Sequence, residues 1–199
     1  MMNSNNTPEI LRWDMNPARE TLSAYIIPNA FSLSEINYLH KLINVEDVEE
    51  GKSTGDPSRR NNVGIVWLKD QVKFHWAYEK CAGLVKKANH ENFNKRLSFM
   101  ETLQYTLYND VSESYYGQHF DQIVHTNRDT KRVLSFSVQL SSPDVYEGGD
   151  LEIYTANDFS ATKNLGDMII FESTLLHEVK QVTAGTRVSL VGWVHGPNI

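Results

Sequence analysis

Within 199 residues there is room for one substantial core, and 40% hydrophobic with 11% aromatic residues are globular values. A net charge of −6 disfavours bulk attraction to nucleic acid or anionic membrane, and no run of about 18 apolar residues is present to cross a bilayer. The single cysteine, Cys81, excludes an internal disulfide and a thiolate metal cluster, and it falls in a helix-like segment as a small apolar residue.

The first 20 residues are polar and lack the basic start and apolar stretch of a secretory signal, so they are expected to be a frayed tail on a cytoplasmic protein. Thr21 to Ile27 is rich in β-branched and aromatic residues and stops at Pro28-Asn29, as a strand does. Ser32-Leu-Ser-Glu35 has the form of a capping box, and Ile36, Leu39, Leu42 and Ile43 continue it as one apolar helical stripe. From Glu46 to Asn62 the chain turns polar, with Gly51, Gly55 and Pro57 as breakers and Arg59-Arg60 as a local positive cluster. The pattern fits either a solvated hairpin tip or a flap that closes over a substrate. Val63 to Leu68 reads as a strand. Between Val72 and Phe93, a stripe of Phe74, Ala77, Tyr78, Cys81, Leu84, Val85 and Ala88 predicts a second helix.

Beyond residue 100 the texture changes to short strands separated by turns. Thr102–Tyr108, a strand through Tyr115–Asp121, Arg132–Leu140, Leu151–Tyr154, Met168–Phe171, Ser173–Val182 and Thr186–Trp193 are the candidates, with a hairpin region around 156–162. Eight or so such strands predict a sandwich or jelly roll. The chain is therefore expected to be one domain over 1–199: a tail at 1–20, a supporting strand and helix region at 21–100 that includes the loop 46–62, and a strand-rich core at 101–195.

The chemistry begins at His119 and Asp121. On a strand, the two-residue period puts both on one face and turns Phe120 away. His177, far downstream, completes a set of two imidazoles and one carboxylate. Three ligands on one face leave positions open, which suits a non-haem iron(II) centre; an open zinc site with a water would instead imply a hydrolase, although no His-Glu-x-x-His helix is present. Arg187 and Ser189 share a strand face, so a guanidinium and a hydroxyl converge there to hold a carboxylate. Val188, Leu190, Val191 and Val194 make that strand apolar, so Arg187 should be partly buried and should need an anionic partner.

His119-Phe-Asp121, Glu147-Gly-Gly-Asp-Leu151, Gly166-Asp-Met-Ile-Ile-Phe171 and Leu176-His-Glu-Val179, followed by Arg187 and Trp193, resemble the iron(II)/2-oxoglutarate-dependent dioxygenases. Within them the chain is most similar to the prolyl 4-hydroxylase-like branch, with its bacterial and phage members. The resemblance covers roughly residues 101 to 195. It implies a mainly β fold with supporting helices (α+β), built on a double-stranded β-helix, or cupin-like jelly roll. It further implies iron(II) on His119, Asp121 and His177; 2-oxoglutarate on Arg187, with Tyr108, Ser189 and Gln139 near it; and dioxygen as oxidant, with ascorbate as an optional addition. Trp193 and Tyr116 would line the substrate side, with His125, Arg128, Arg59 and Arg60 as further candidates for substrate contact. Many prolyl 4-hydroxylases carry a lysine where this chain has Arg187, which moves it toward the arginine-bearing subgroup.

The expected activity is hydroxylation of an amino-acid side chain, proline first, in a peptide or protein, with release of succinate and carbon dioxide. The alternatives are a free amino acid or other small metabolite as substrate, or a cupin-like metal-binding module without turnover. Oxidative demethylation of nucleic acid is disfavoured, because that branch usually shows a second arginine where this chain has Trp193. A membrane partner is not expected. The oligomeric state is not legible in these residues.

Overall fold

The computed structural model describes residues 22–52, 57–70, 72–122, 129–156, 159 and 161–198. Strand β1 (Ala24–Ile27) leads to helix α1 (Leu33–Leu42), and then to the short strands β2 (Glu49–Glu50), β3 (Arg60–Asn61) and β4 (Gly64–Trp67). Helix α2 (His75–Ala88) is followed by β5 (Phe99–Met100), β6 (Gln104–Asn109), β7 (Tyr115–His119) and β8 (Thr130–Gln139). The remainder is β9 (Tyr146–Gly148), β10 (Leu151–Ile153), β11 (Met168–Glu172), β12 (His177–Val179) and the long β13 (Val182–Pro197).

These strands form two antiparallel sheets. The larger runs β1-β11-β8-β13-β6-β4-β2, with β5 and β9 also paired to β13; the smaller runs β10-β12-β7-β3. Alternation decides what each face of the large sheet meets. Leu134, Phe136 and Val138 on β8, Met168 and Ile170 on β11 and Leu190 on β13 pack under the helices with Ile36, Leu39, Ala77, Cys81 and Val85. The intervening residues, among them Ile169 and Phe171, turn to the small sheet and meet its Leu151, Ile153 and Val179. The second face is polar where it matters: Thr106, Ser135, Ser137, Gln139, Arg187 and Ser189 are all buried there.

Local chemistry fixes the helices on the outer face. Ser32 and Glu35 complete the capping box reciprocally, with the Ser32 amide donating to Glu35 Oε2 at 2.8 Å, a motif worth about 1 kcal/mol. His40 clamps α1 to the sheet. Its Nε2 lies 3.0 Å from the Leu140 carbonyl, which only accepts, so Nδ1 is left to accept from the Tyr105 hydroxyl at 2.7 Å. Helix α2 runs into a wide π-type turn, Asn89–Phe93, and stops at Asn94 in the left-handed region with φ 52°.

Several expectations are corrected. The described residues of 46–62 do not form a plain solvated hairpin tip: β2 joins the large sheet beside β4, whereas β3 joins the small sheet beside β7. Strand β7 ends at His119, leaving Asp121 in the bend beyond it. The stretch Ser173–Val182 is not one strand, since only His177–Val179 pairs and Val182 already belongs to β13. No hairpin forms among the described residues of 156–162; β10 pairs with β12 instead.

Candidate active site

Between the sheets lies a cavity of about 460 Å³, lined from the small sheet by Tyr116, His119, Leu151, His177 and Val179 and from the large sheet by Tyr108, Ser137, Phe171, Arg187, Ser189 and Trp193. His119 and His177 are directly opposed across the β7–β12 ladder. With Asp121 they place one donor atom each within 4.8 Å of one another, all three buried. His119 Nδ1 donates to the Gly117 carbonyl at 2.8 Å and His177 Nδ1 to the Leu175 carbonyl at 2.9 Å. A carbonyl cannot donate, so these bonds put the proton on Nδ1 of each neutral ring and leave Nε2 as a free lone pair. Those two Nε2 atoms face the Asp121 carboxylate at 3.7 and 3.4 Å.

The electrostatics agree with the geometry. Burial, helped by the neighbouring His177, pushes His119 down to about 4, so its ring is neutral near pH 7. Burial would lower His177 as well, but the Asp121 carboxylate outweighs it and holds that ring above its ordinary range. Burial alone would raise Asp121; the two histidines, His177 foremost, outweigh it and keep the carboxyl well below the usual carboxylate range. An ionised carboxylate therefore favours positive charge, whether a proton on His177 or a metal ion, at the point where the two Nε2 atoms meet. Two nitrogens and one oxygen as donors, with one side open to the cavity, fit iron(II).

A ladder irregularity builds the wall beside these residues. Between Val179↔Tyr116 and His177↔His119, β7 carries one more residue than β12. The bulge brings Tyr116 to the same side as His119 against strict alternation, and their rings stack with centroids 3.6 Å apart. The Arg60 guanidinium also lies over the Tyr116 ring, 4.6 Å from its centre. Phe171 meets His177 edge-on at 4.7 Å.

Deeper in the cavity, Arg187 is 1% exposed. Its Nη2 donates to Gln139 Oε1 at 3.2 Å, its guanidinium lies 5.4 Å from the Tyr108 ring centre, and its Nε is buried with no partner. Among the described residues it makes no ion pair. A charge taken out of water and matched only to a neutral amide is expensive to hold, so the position calls for an anion from outside the chain. Tyr108 is opposite Arg187 on β6, and Gln139 is opposite Ser189 on β8, which gathers the four residues at one end. Gly149 makes room for them. Its φ is +61°, and a Cβ there would lie 3.0 Å from Arg187 Cδ and 2.9 Å from Val182 Cγ2, so only glycine fits the turn beside this arginine.

The structure thus brings together His119, Asp121 and His177, and separately Arg187, Tyr108, Ser189 and Gln139, with Trp193, Tyr116 and Arg60 along the same cavity. Arg59 is exposed and does not line it. His125 and Arg128 lie outside the described residues. Among the lining residues that the sequence did not single out is a charged one, Arg132, which stacks over Trp193 at 4.2 Å and grips Glu101 through Nε and Nη2 at 2.6 and 2.7 Å. Alternation from Leu134 assigns Arg132 to the helix side. The ladder slips between Val194↔Leu134 and His195↔Arg132, leaving Val133 unpaired, and that bulge turns Arg132 inward. No pattern in the sequence marks it.

Residues 103–195 match the family model described as the 2OG-Fe(II) oxygenase superfamily. A PKHD-type hydroxylase of Gloeothece citriformis is 40% identical over 175 residues, covering 85% of this chain and 77% of that protein. The chain belongs to the 2OG-Fe(II) oxygenase superfamily. A PKHD-type hydroxylase of Prochlorococcus marinus strain MIT 9301 is 30% identical over 179 residues, with the same coverages of 85% and 77%. Among solved structures, a prolyl-4-hydroxylase of Pseudomonas putida superposes with TM-score 0.68 at 18% identity, over 88% of this chain and 94% of that one. A Trichoplax adhaerens prolyl hydroxylase, in complex with a hypoxia inducible factor peptide fragment, superposes with TM-score 0.69 at 20% identity, over 86% and 83%. At these identities the likeness is one of fold, and that fold is the double-stranded β-helix, here backed by two helices. By its family and its PKHD-type relatives the chain is a hydroxylase dependent on iron(II), 2-oxoglutarate and dioxygen. No helix among the described residues is long and apolar enough to cross a membrane.

Proposed function

We propose that His119, Asp121 and His177 hold the iron(II), that Arg187 receives the distal carboxylate of 2-oxoglutarate, and that the enzyme hydroxylates a prolyl side chain in a peptide or protein. Residues 1–199 then act as a single oxygenase domain whose catalytic core is 101–195. The observation that carries this reading is Arg187, a buried cation without an anionic partner in the described chain, facing the same cavity as the His-Asp-His cluster. Iron(II) bound there would supply activation of dioxygen, driven by conversion of 2-oxoglutarate to succinate and carbon dioxide, so that one oxygen atom is inserted into a substrate C–H bond.

The chain's own residues perform the rest. The Gly117 and Leu175 carbonyls fix the ring planes of His119 and His177 so that neither ring must reorganise on binding. Arg187, assisted by Ser189 and Tyr108, orients the cosubstrate, while Gln139 holds the guanidinium in place. Leu151, Phe171 and Val179 exclude water from the reacting end. Tyr116 and Trp193 form walls that position the substrate, and Arg60 braces Tyr116. The peptide-bound Trichoplax adhaerens prolyl hydroxylase, which shares this fold, supports a substrate presented as a side chain on a polypeptide.

The test is incubation with iron(II), 2-oxoglutarate, air and a library of proline-containing peptides, read by mass spectrometry. The expected result is one added oxygen atom on proline, dependent on 2-oxoglutarate. Oxygen appearing only on another residue type, or only on free amino acids, would overturn the prolyl reading.

A further inference from the structure

The cavity does not end at its mouth. Trp67 and Glu49, which line it, also line a neighbouring groove of about 530 Å³ whose other walls are Lys69, Phe99, Met100, Glu101 and Thr102. Pairing along β13 puts the two in line: Arg187 faces Tyr108, Trp193 faces Ser135, and beyond them Val194 and His195 face Met100 and Phe99 of β5. At roughly 3.3 Å per residue, Phe99 lies about 7 Å past Trp193, on the side away from Arg187. Trp67 bridges the junction, its ring 6.2 Å from that of Trp193.

We propose that this groove receives the polypeptide on one side of the hydroxylated residue, and that it selects a substrate with a large apolar side chain about two to three residues away, seated on Phe99 and Met100. The proposal rests on the peptide-hydroxylase reading above. Phe99 is stacked on His195 at 4.4 Å yet 51% exposed, so one ring face is anchored and the other is offered to a partner. Glu101 is already matched by Arg132 and His195. Lys69 and Glu49 make no ion pair among the described residues, which leaves one charge of each sign beside the apolar floor to meet a peptide's polar groups. Strand β2 is the edge of the large sheet, and among the described residues no further strand pairs with its outer side, where an extended segment could add. A free amino acid or small metabolite would fill the cavity and leave this continuation unused.

The experiment compares two randomised pools with a central proline, heptapeptides with three residues on each side and tripeptides with one, on the iron-loaded enzyme with 2-oxoglutarate and air. Oxygen incorporation is read by mass spectrometry. Heptapeptides are expected to be preferred about tenfold in kcat/KM, with Leu, Met or Phe enriched at one outer position. In Phe99→Ser, a substitution at a half-exposed site, that advantage should shrink to near parity through KM. Binding of a fluorescein-labelled selected heptapeptide to manganese(II)-loaded protein, followed by anisotropy, should weaken to a similar extent. Equal use of the two pools, or an undiminished preference in Phe99→Ser, would overturn the groove while leaving the peptide reading intact. Succinate formation without oxygen in any peptide would remove that reading and the groove with it.

Discussion

Arg187 is 1% exposed, contacts a neutral amide and a tyrosine ring, and leaves its Nε without a partner. In a resting fold that arrangement is unfavourable, because an isolated buried charge loses hydration that one amide cannot replace. The same arrangement is what a dicarboxylate needs. Two expectations follow for Arg187→Gln. The KM for 2-oxoglutarate should rise on the order of 100-fold, as truncation of a buried charge pair does, while thermal stability of the protein alone should hold or increase because an uncompensated charge has gone. The dependence of succinate formation on 2-oxoglutarate, with parallel thermal melts, measures both. An unchanged KM together with a large loss of stability would make Arg187 a structural residue. At this scale the sequence was informative: residue type and apolar context on one strand were enough to expect a buried arginine in need of an anion. Gly149 was legible only as part of a Gly-Gly turn, since its reason, the approach of Arg187 Cδ, is a contact between distant segments.

Strands were found where alternation of apolar and polar residues is clean, and both helices were found from their stripes and, for α1, from its capping box. What alternation could not supply are the bulges, two of which move a side chain of the cavity to the other face of its sheet. One brings Tyr116 onto His119; the other brings Arg132 onto Trp193 and into contact with Glu101. Bulges arise from ladder competition between strands far apart in sequence, so the signal is absent from either strand alone. The short pairings of β2 and β3 escaped for a related reason, because two-residue strands in a polar stretch carry no period to detect. The Glu101 cluster has a pH consequence. Burial would raise the Glu101 carboxyl, but Arg132 and then His195 outweigh it, so it titrates below its ordinary value of 4.5. A lowered carboxylate stabilises the fold above the unfolded pKa, and that contribution is lost as pH falls through the folded one. Urea unfolding of wild type against Glu101→Gln should therefore show an advantage of about 1 to 2 kcal/mol at pH 7 that narrows as pH falls below the ordinary carboxylate value. A gap independent of pH would mean that the carboxylate's charge contributes nothing there.

On the scale of the whole molecule, the two sheets divide the work. The large sheet turns one apolar face to α1 and α2 and the other, set with buried polar residues, to the cavity. The small sheet contributes the two opposed histidines and, just past the end of β7, Asp121. The expected geometry for Asp121 differed in origin but not in outcome. It does not share a strand face with His119; the bend after β7 returns its carboxylate to the same point, where it faces both Nε2 atoms. Strand count made a sandwich or jelly roll legible, and the family resemblance implied the double-stranded β-helix, whereas the continuity of cavity and groove across Trp67 depends on how β5 is seated on β13. The most direct test of the central claim is metal-dependent succinate formation by wild type and Asp121→Ala, each supplied with iron(II), 2-oxoglutarate and air and checked for folding by circular dichroism. Loss of a partner that merely supports a ligand costs about 10- to 100-fold, so loss of Asp121 itself should lower turnover by more than about 100-fold in a folded protein. Wild-type turnover in folded Asp121→Ala would contradict the ligand assignment and, with it, the mechanism built on it.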